Sequence, residues 1–378
     1  MDAKAKKILG AYKKLGARIE TKARTRLKGK KDFSLWYTPG VGAASTHLAA
    51  HPEDARAMSI KKNSIAVVSD GSAVLGLGNI GPYGALPVME GKALIFKEMA
   101  GIDAWPLVLD TQDTEEIIRI VKAVAPNFGG INLEDISAPR CFEIEERLKA
   151  ELTIPVMHDD QHGTAVVVLA GLINAAKVVK KQVKKLKVVI IGAGAAGAAT
   201  ARLLKEFGID DLVVIDHAGI VARTRADLTV IKRAIAEFTN PQKLEGGLDE
   251  ALVGADAVIG LSGAGKLTGA HVKRMNTDAI VFGLANPTPE IMPDEAKKAG
   301  AKVIATGRSD FPNQLNNALV YPGIFRGALD KRITHITDET KLRAAKALAS
   351  LVARPTAERI IPDLLDTRVV KTVARSVR

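Results

Sequence analysis

Val188-Val189-Ile190-Ile191-Gly192-Ala193-Gly194-Ala195-Ala196-Gly197 is the stretch that decides the fold of this 378-residue chain. Four consecutive β-branched residues read as a strand buried on both faces, the kind found in parallel sheets. The Gly-x-Gly-x-x-Gly spacing that follows opens a helix predicted over 198–207. Its glycines permit a tight turn and let backbone N–H groups approach a pyrophosphate at the helix N-terminus. Leu212-Val213-Val214-Ile215 then reads as a second strand, ending in Asp216. That carboxylate stands about 20 residues downstream, where an acid meets ribose hydroxyls. Gly192, Gly194, Ala195, Ala196, Gly197 and Asp216 are therefore the expected dinucleotide contacts. An acid at this place favours NAD over NADP, while His217, Arg223 and Arg225 stand close enough in sequence to accommodate a 2′-phosphate. A second Gly-x-Gly-x-x-Gly, at 76–81, runs straight into Pro82 and lacks the downstream acid. It reads as a substrate-side loop near the nicotinamide.

Outward from this core, strands alternate with helices on both sides. Strands are predicted at 64–69, 105–109 and 154–157, then at 187–191, 211–215, 256–260, 279–282 and 302–305. Helices are predicted at 3–20, 85–100, 113–124, 139–151 (opened by Pro139) and 164–180, and near the end at 322–330, 338–352 and 355–362. Such alternation implies an α/β protein with parallel sheets and sites at the strand C-terminal ends. The length exceeds one ordinary core. The expected division is an N-terminal α/β substrate and metal domain over 1–162, a doubly wound Rossmann-type NAD(P) domain over 163–315, and C-terminal helices over 316–378 that return to the first domain.

A hydrophobic content of 47% and a charged content of 25% are those of a soluble globular enzyme. No apolar run is long enough to span a bilayer, and no apolar core follows the N-terminal lysines as a secretory signal would require. The single cysteine, Cys141, excludes a disulfide framework and fits a reducing, cytoplasmic setting. The net charge of +12 is concentrated: residues 1–31 hold twelve Lys/Arg against Asp2 and Glu20. A basic patch can bind nucleic acid. Tyr12 is the one aromatic there, however, and Ile8, Leu9, Tyr12, Leu15 and Ile19 fall at helical spacing, so an amphipathic helix is the better reading. Its apolar stripe needs a partner surface. A homodimer built partly from residues 1–50, with Tyr37 near the subunit boundary, supplies one.

The chemistry-bearing residues cluster in short segments. Glu134-Asp135 and Asp159-Asp160 each adjoin a predicted strand end. One acidic pair alone is usually a cap or a solvated turn, but two in an apolar α/β setting suit Mg²⁺ or Mn²⁺. His158 and His162 stand four residues apart, as a zinc pair would, yet no helix is expected there. Lys92 follows Glu90-Gly91 and is either a snorkelling helix residue or a base whose pKa is lowered by burial beside a cation. Tyr37, before Pro39-Gly40, is either a packing aromatic or a positioned proton donor. A hydride acceptor, a base, an acid and a cation site together suit a hydroxy acid that is oxidised and then loses carbon dioxide.

These segments, taken as a set, resemble malic enzyme. The matching motifs are Tyr37-Thr38-Pro39-Gly40-Val41, Gly76-Leu77-Gly78-Asn79-Ile80-Gly81-Pro82, Glu90-Gly91-Lys92, Asn132-Leu133-Glu134-Asp135-Ile136, His158-Asp159-Asp160-Gln161-His162-Gly163-Thr164 and Ala285-Asn286-Pro287-Thr288-Pro289-Glu290, with Asn316-Asn317 and Tyr321-Pro322-Gly323 beyond. The order and spacing match over residues 15–370, and the length is that of the short prokaryotic type. The resemblance implies Lys92 as base, Tyr37 as acid, and Glu134, Asp135 and Asp160 as metal ligands. It makes Asp159 a carboxylate that either supports the metal ligands from behind or relays a proton, and Asn286 and Asn317 contacts to malate or to the nicotinamide end of the cofactor. The implied reaction is oxidative decarboxylation of (S)-malate to pyruvate, together with decarboxylation of oxaloacetate. The alternatives are a malolactic-type enzyme that releases lactate, and a nucleic-acid-binding protein that has kept the fold. The larger eukaryotic type has an arginine for a substrate carboxylate where this chain has Ser72-Ala73-Val74.

Overall fold

A computed structural model describes residues 3–378. The β-rich runs assemble into two separate parallel sheets. The first contains β1 (Ser64–Ser69), β2 (Asp103–Val108), β3 (Ile131–Leu133) and β4 (Val156–His158), in the order β2-β1-β3-β4. The second contains β5 (Val188–Ile191), β6 (Leu212–Asp216), β7 (Gly219–Ile220), β8 (Ala257–Gly260), β9 (Ile280–Gly283) and β10 (Val303–Thr306). Its order is β10-β9-β8-β5-β6-β7, with only β7 antiparallel. Order reverses around β5, so the crevice at its C-terminal end is the place for a dinucleotide. All four residues of β5 are buried, as the unbroken β-branched run requires.

Register positions the acids. Leu133 of β3 pairs with His158 of β4, so the residues that follow them, Glu134 and Asp159, leave the sheet side by side. Asp159 then opens the helix Asp159–Val178, whose run from Ala165 to Leu172 is buried on every side. A helix apolar all round belongs between two layers. This one packs on the helix Ala195–Phe207 of the nucleotide sheet and on the helix Asp338–Ser350 near the C-terminus. The helix Tyr321–Lys331 packs on both Gly81–Ala100 and Arg368–Ser376.

Several sequence expectations are corrected. Residues 355–362 are not helical. Pro355 and Pro362 bracket a turn in which Thr356 and Arg359 bridge each other, and Asn313 and Asn174 hold its backbone at Ala357 and Ile360. The last helix is instead Arg368–Ser376, which buries Val369 and Val373 one turn apart. The connecting helix starts at Asp159 rather than 164, so Asp160 and His162 lie on a helix where none was expected. The first helix, Ala3–Leu15, stops at Gly16, which has a left-handed φ of 72°. Lys30–Trp36 and Gly40–Ala50 are further helices not foreseen, and neither of them nor Ala3–Leu15 has a buried residue.

Candidate active site

Three carboxylates converge at the strand ends. One oxygen from each of Glu134, Asp135 and Asp160 lies within 4.8 Å of the others. Asp135 adopts a left-handed φ of 53°, and its N–H donates to Asp160 Oδ2 at 2.8 Å. Asn132 Nδ2 donates to Glu134 Oε2 at 3.1 Å. Burial, reinforced by the Asp160 charge, pushes the Asp135 carboxyl up to about 8, and the same two causes push Glu134 well above its ordinary range. Asp135 Oδ2 is buried without a hydrogen-bond partner. Like charges crowded out of water this way fit a hard divalent cation. Neither histidine belongs to the cluster. His162 Nε2 sits 2.9 Å from Glu145 Oε2. Glu145 also accepts from His158 N–H at 3.0 Å and from Lys149, which ties the junction of β4 and its helix to the helix Arg140–Glu151.

Cation binding should therefore depend on pH in a calculable direction. Asp135 holds a proton in the folded protein up to about pH 8 but only to about pH 4 when unfolded, so its contribution to stability falls as pH rises between these values. A divalent cation replaces that proton. Adding Mn²⁺ should raise Tm, and by more at pH 8 than at pH 6. Calorimetric unfolding at both pH values checks this, and an equal or reversed increment would argue against the three-carboxylate site.

Lys92 projects from the helix Gly81–Ala100 into the same cluster. Its Nζ lies 3.0 Å from Glu134 Oε1, donates a short hydrogen bond to Asp159 Oδ2, and sits 4.3 Å above the Tyr321 ring. Its side chain is only 10% exposed. Burial pulls the Lys92 ammonium down, but the Asp159 and Glu134 carboxylates outweigh it and hold the pKa well above that of a free lysine. The lowered value expected from the sequence belongs to a site loaded with a cation; with the two acids alone beside it, the ammonium is favoured. Asp159 is fully buried, with Oδ1 unpartnered. A Cβ on Gly163 would come within 1.9 Å of that oxygen, so the glycine of His162-Gly163-Thr164 makes room for it.

These groups open into a cavity of about 940 Å³ shared by the two sheets. Asn286 and Asn317 line it, with Gly76 of the second glycine loop, Ala195 and Ala196. Gly76 lies against Asn286, whose carbonyl oxygen would be 2.1 Å from an added Cβ. That contact ties the loop to the segment that follows β9. Tyr321 and Arg18 also line the cavity, and composition alone did not single them out. Tyr37 does not line it: it ends the helix Lys30–Trp36, packs edge-on against Phe33 at 5.4 Å and is 59% exposed.

A second cavity, of about 730 Å³, adjoins Gly192, Gly194, Asp216, His217 and Lys232. Gly192 has a φ of 113°, and a Cβ on Gly197 would strike the Gly192 carbonyl oxygen at 1.8 Å. Gly194 faces open space, leaving its backbone accessible to a pyrophosphate. Asp216 is committed to two cations. Arg225 reaches it with Nη1 at 2.8 Å and Nη2 at 3.2 Å, and Lys232 Nζ lies at 2.5 Å. Those bonds outweigh partial burial and hold the carboxyl well below its ordinary range. Arg223 turns away to the carbonyls of Ala236 and Glu237. Lys232 is the cation that sequence distance from Asp216 had hidden.

Residues 16–149 match the family model of the malic enzyme N-terminal domain, and residues 161–378 that of the malic enzyme NAD-binding domain. The NAD-dependent malic enzyme of Geobacillus stearothermophilus is 54% identical over 96% of this chain and 76% of its own length. The bifunctional malic/malolactic enzyme of Bacillus subtilis is 50% identical over 95% of this chain and 88% of its own. The crystal structure of an NAD-dependent malic enzyme from Thermotoga maritima superposes with a TM-score of 0.95 at 47% identity, covering 100% of this chain and 99% of that one.

Proposed function

The chain belongs to the malic enzyme family, an NAD(P)-dependent oxidoreductase family that decarboxylates malate oxidatively, and on that premise we propose how its own residues divide the work. The observation that carries the proposal is the Lys92 ammonium, placed between Asp159 and Glu134 at the rim of a three-carboxylate cluster and inside the cavity shared with the nucleotide sheet. Glu134, Asp135 and Asp160 would hold Mg²⁺ or Mn²⁺, which when bound supplies Lewis-acid polarisation of the substrate oxygen and of the ketone formed from it. Lys92, once its own proton has passed to Asp159 along their hydrogen bond, takes the C2 hydroxyl proton as hydride leaves C2 for the nicotinamide. Loss of the β-carboxylate as carbon dioxide leaves an enolate at C3. Tyr37 returns a proton there, yielding pyruvate. Asn286 and Asn317 orient malate or the nicotinamide end. Gly192, Gly194, Ala195, Ala196 and Gly197 cradle the pyrophosphate. Oxaloacetate enters the same path after the hydride step.

Tyr37 serves this role from a neighbouring subunit. Its exposure, together with the uncovered Leu35, Trp36, Phe33, Leu15 and Ile8, supports a homodimer through residues 1–50. No helix among the described residues is long and apolar enough to cross a membrane, and the lone buried Cys141 supports a cytoplasmic setting. The steady-state test follows malate with each nucleotide and Mn²⁺, quantifying reduced cofactor, pyruvate and lactate. Pyruvate in step with reduced cofactor supports the reading. Lactate without net reduction supports the malolactic alternative, which the Bacillus subtilis relative's name brings forward. No turnover in either form, with a gel shift at physiological salt, would leave the nucleic-acid reading.

NAD should be used at least as well as NADP, since Asp216 lines the second cavity and a carboxylate at this strand end repels a 2′-phosphate. Asp216→Asn should free Arg225 and Lys232 for that phosphate. The ratio of kcat/KM for NADP over NAD should then rise about 10- to 100-fold, the scale of one gained charge-assisted contact. An unchanged ratio would show that neither cation reaches the ribose.

A further inference from the structure

We propose that Arg18 receives the substrate carboxylate that the cation cluster does not hold, and so sets the preference of this site for C4 dicarboxylates. The inference rests on the malate reading above and names a residue within it.

A dicarboxylate brings two negative ends into the cavity, and a cation among Glu134, Asp135 and Asp160 serves one of them. Among the described residues lining that cavity, two carry a positive side chain, Arg18 and Lys92. Lys92 is already bound to Asp159 and Glu134. Ala73 and Leu75, from the loop after β1, offer no charge at the wall. The asparagines offer neutral amides.

Arg18 is built to meet a carboxylate. The chain turns at left-handed Gly16 and crosses the helix Gly81–Ala100, where Arg18 Nη2 and Nε bond to Glu90 Oε2 at 3.1 and 3.3 Å. Its Nη1 donates to Tyr12 Oη at 2.8 Å, and the guanidinium carbon lies 4.6 Å over the Tyr12 ring. A guanidinium has five N–H donors. Nε, Nη1 and Nη2 each commit one, which leaves one free N–H on each terminal nitrogen, the pair that a carboxylate accepts side by side. The fork is held still by Glu90 and is 14% exposed, so little ordering is needed when substrate arrives. It also lies over Gly91, where an added Cβ would sit 3.9 Å from Nη1, one residue before Lys92. Glu90-Gly91-Lys92 thus presents the arginine fork and the lysine from neighbouring positions of one helix, with glycine between them keeping the approach clear.

The test separates dicarboxylates from a ligand that engages the cation site alone. Wild-type, Arg18→Gln and Arg18→Lys proteins are loaded with Mn²⁺, and (S)-malate and oxalate are titrated calorimetrically without nucleotide. KM for malate and oxaloacetate is measured in parallel. Arg18→Gln should weaken malate binding and raise both KM values about 10- to 100-fold, the range for losing a charge-assisted pair, with oxalate affinity unchanged. Arg18→Lys, which keeps charge without the fork, should fall between, and it carries the test if the glutamine variant does not fold. Equal weakening of oxalate and malate would make Arg18 a structural partner of Glu90 and overturn the proposal. So would unchanged malate binding. A wild-type protein that neither binds nor oxidises malate would instead sink the functional reading beneath it.

Discussion

Lys92→Ala should lower kcat for malate oxidation by roughly 10²- to 10⁴-fold, the usual cost of losing a general base. Lys92 stands inside the acidic cluster, and its Nζ bridges Asp159 and Glu134. Oxaloacetate decarboxylation, which needs no proton removed from C2, should fall less. The split between the two substrates is what distinguishes a base from a group that merely holds the cluster together. Near-normal malate oxidation by the variant would remove Lys92 from the role. The variant should also be less stable without a divalent cation, because Asp159 and Glu134 lose their counter-ion in a buried site, a change that typically costs about 3–5 kcal/mol. Mn²⁺ should restore most of that stability and little of the malate activity.

Mixing two inactive proteins should produce an active one. Tyr37 is absent from the cavity of its own chain, and the segment that carries it leaves Leu35, Trp36 and Tyr37 largely exposed. If a two-fold partner covers that segment, Tyr37 enters the neighbour's cavity. A mixed dimer of Tyr37→Phe and Lys92→Ala chains then has one site with both groups intact and one with neither. After free subunit exchange, roughly a quarter of all sites should be intact, half of the dimers being mixed. Activity should rise from near background to about that share of the wild-type rate. No recovery after verified exchange would place the two residues in one subunit. A monomer by light scattering at assay concentration would end the dimer proposal altogether.

Features fixed by neighbouring residues are legible in the amino-acid sequence. A four-residue β-branched run followed by spaced glycines specifies a strand, a turn and a helix start within ten residues. Each requirement there is local: φ at Gly192, and contact of Gly197 with the Gly192 carbonyl. The acidic pairs are legible for a similar reason, since each follows a strand directly. The final helix is legible in principle, because Val369, Val373 and Val377 recur at intervals of four. The bracketing prolines of 355–362 likewise argue against a helix there.

Pairings across sequence distance are not legible in this way. Lys92 and Asp159 lie sixty-seven residues apart, and Arg18 and Glu90 seventy-two. Asp159 leaves the sheet beside Glu134 because Leu133 pairs with His158, and Arg18 reaches Glu90 because the chain after Gly16 crosses the helix Gly81–Ala100. The balance of charges at Lys92 depends on the same long-range pairings. Burial alone lowers a lysine pKa, and whether opposing acids win depends on distances that only packing sets. Asp216 is visible as the end of a strand, whereas its capture by Arg225 and Lys232 depends on how the chain folds back after β7. Sequence by itself therefore determined the strand-turn-helix units and the residue types that arrive at strand ends, because backbone dihedrals and side-chain alternation are short-range properties. Tertiary structure alone decided which charges face one another across the cavity, because electrostatic interaction depends on separation in space rather than along the chain.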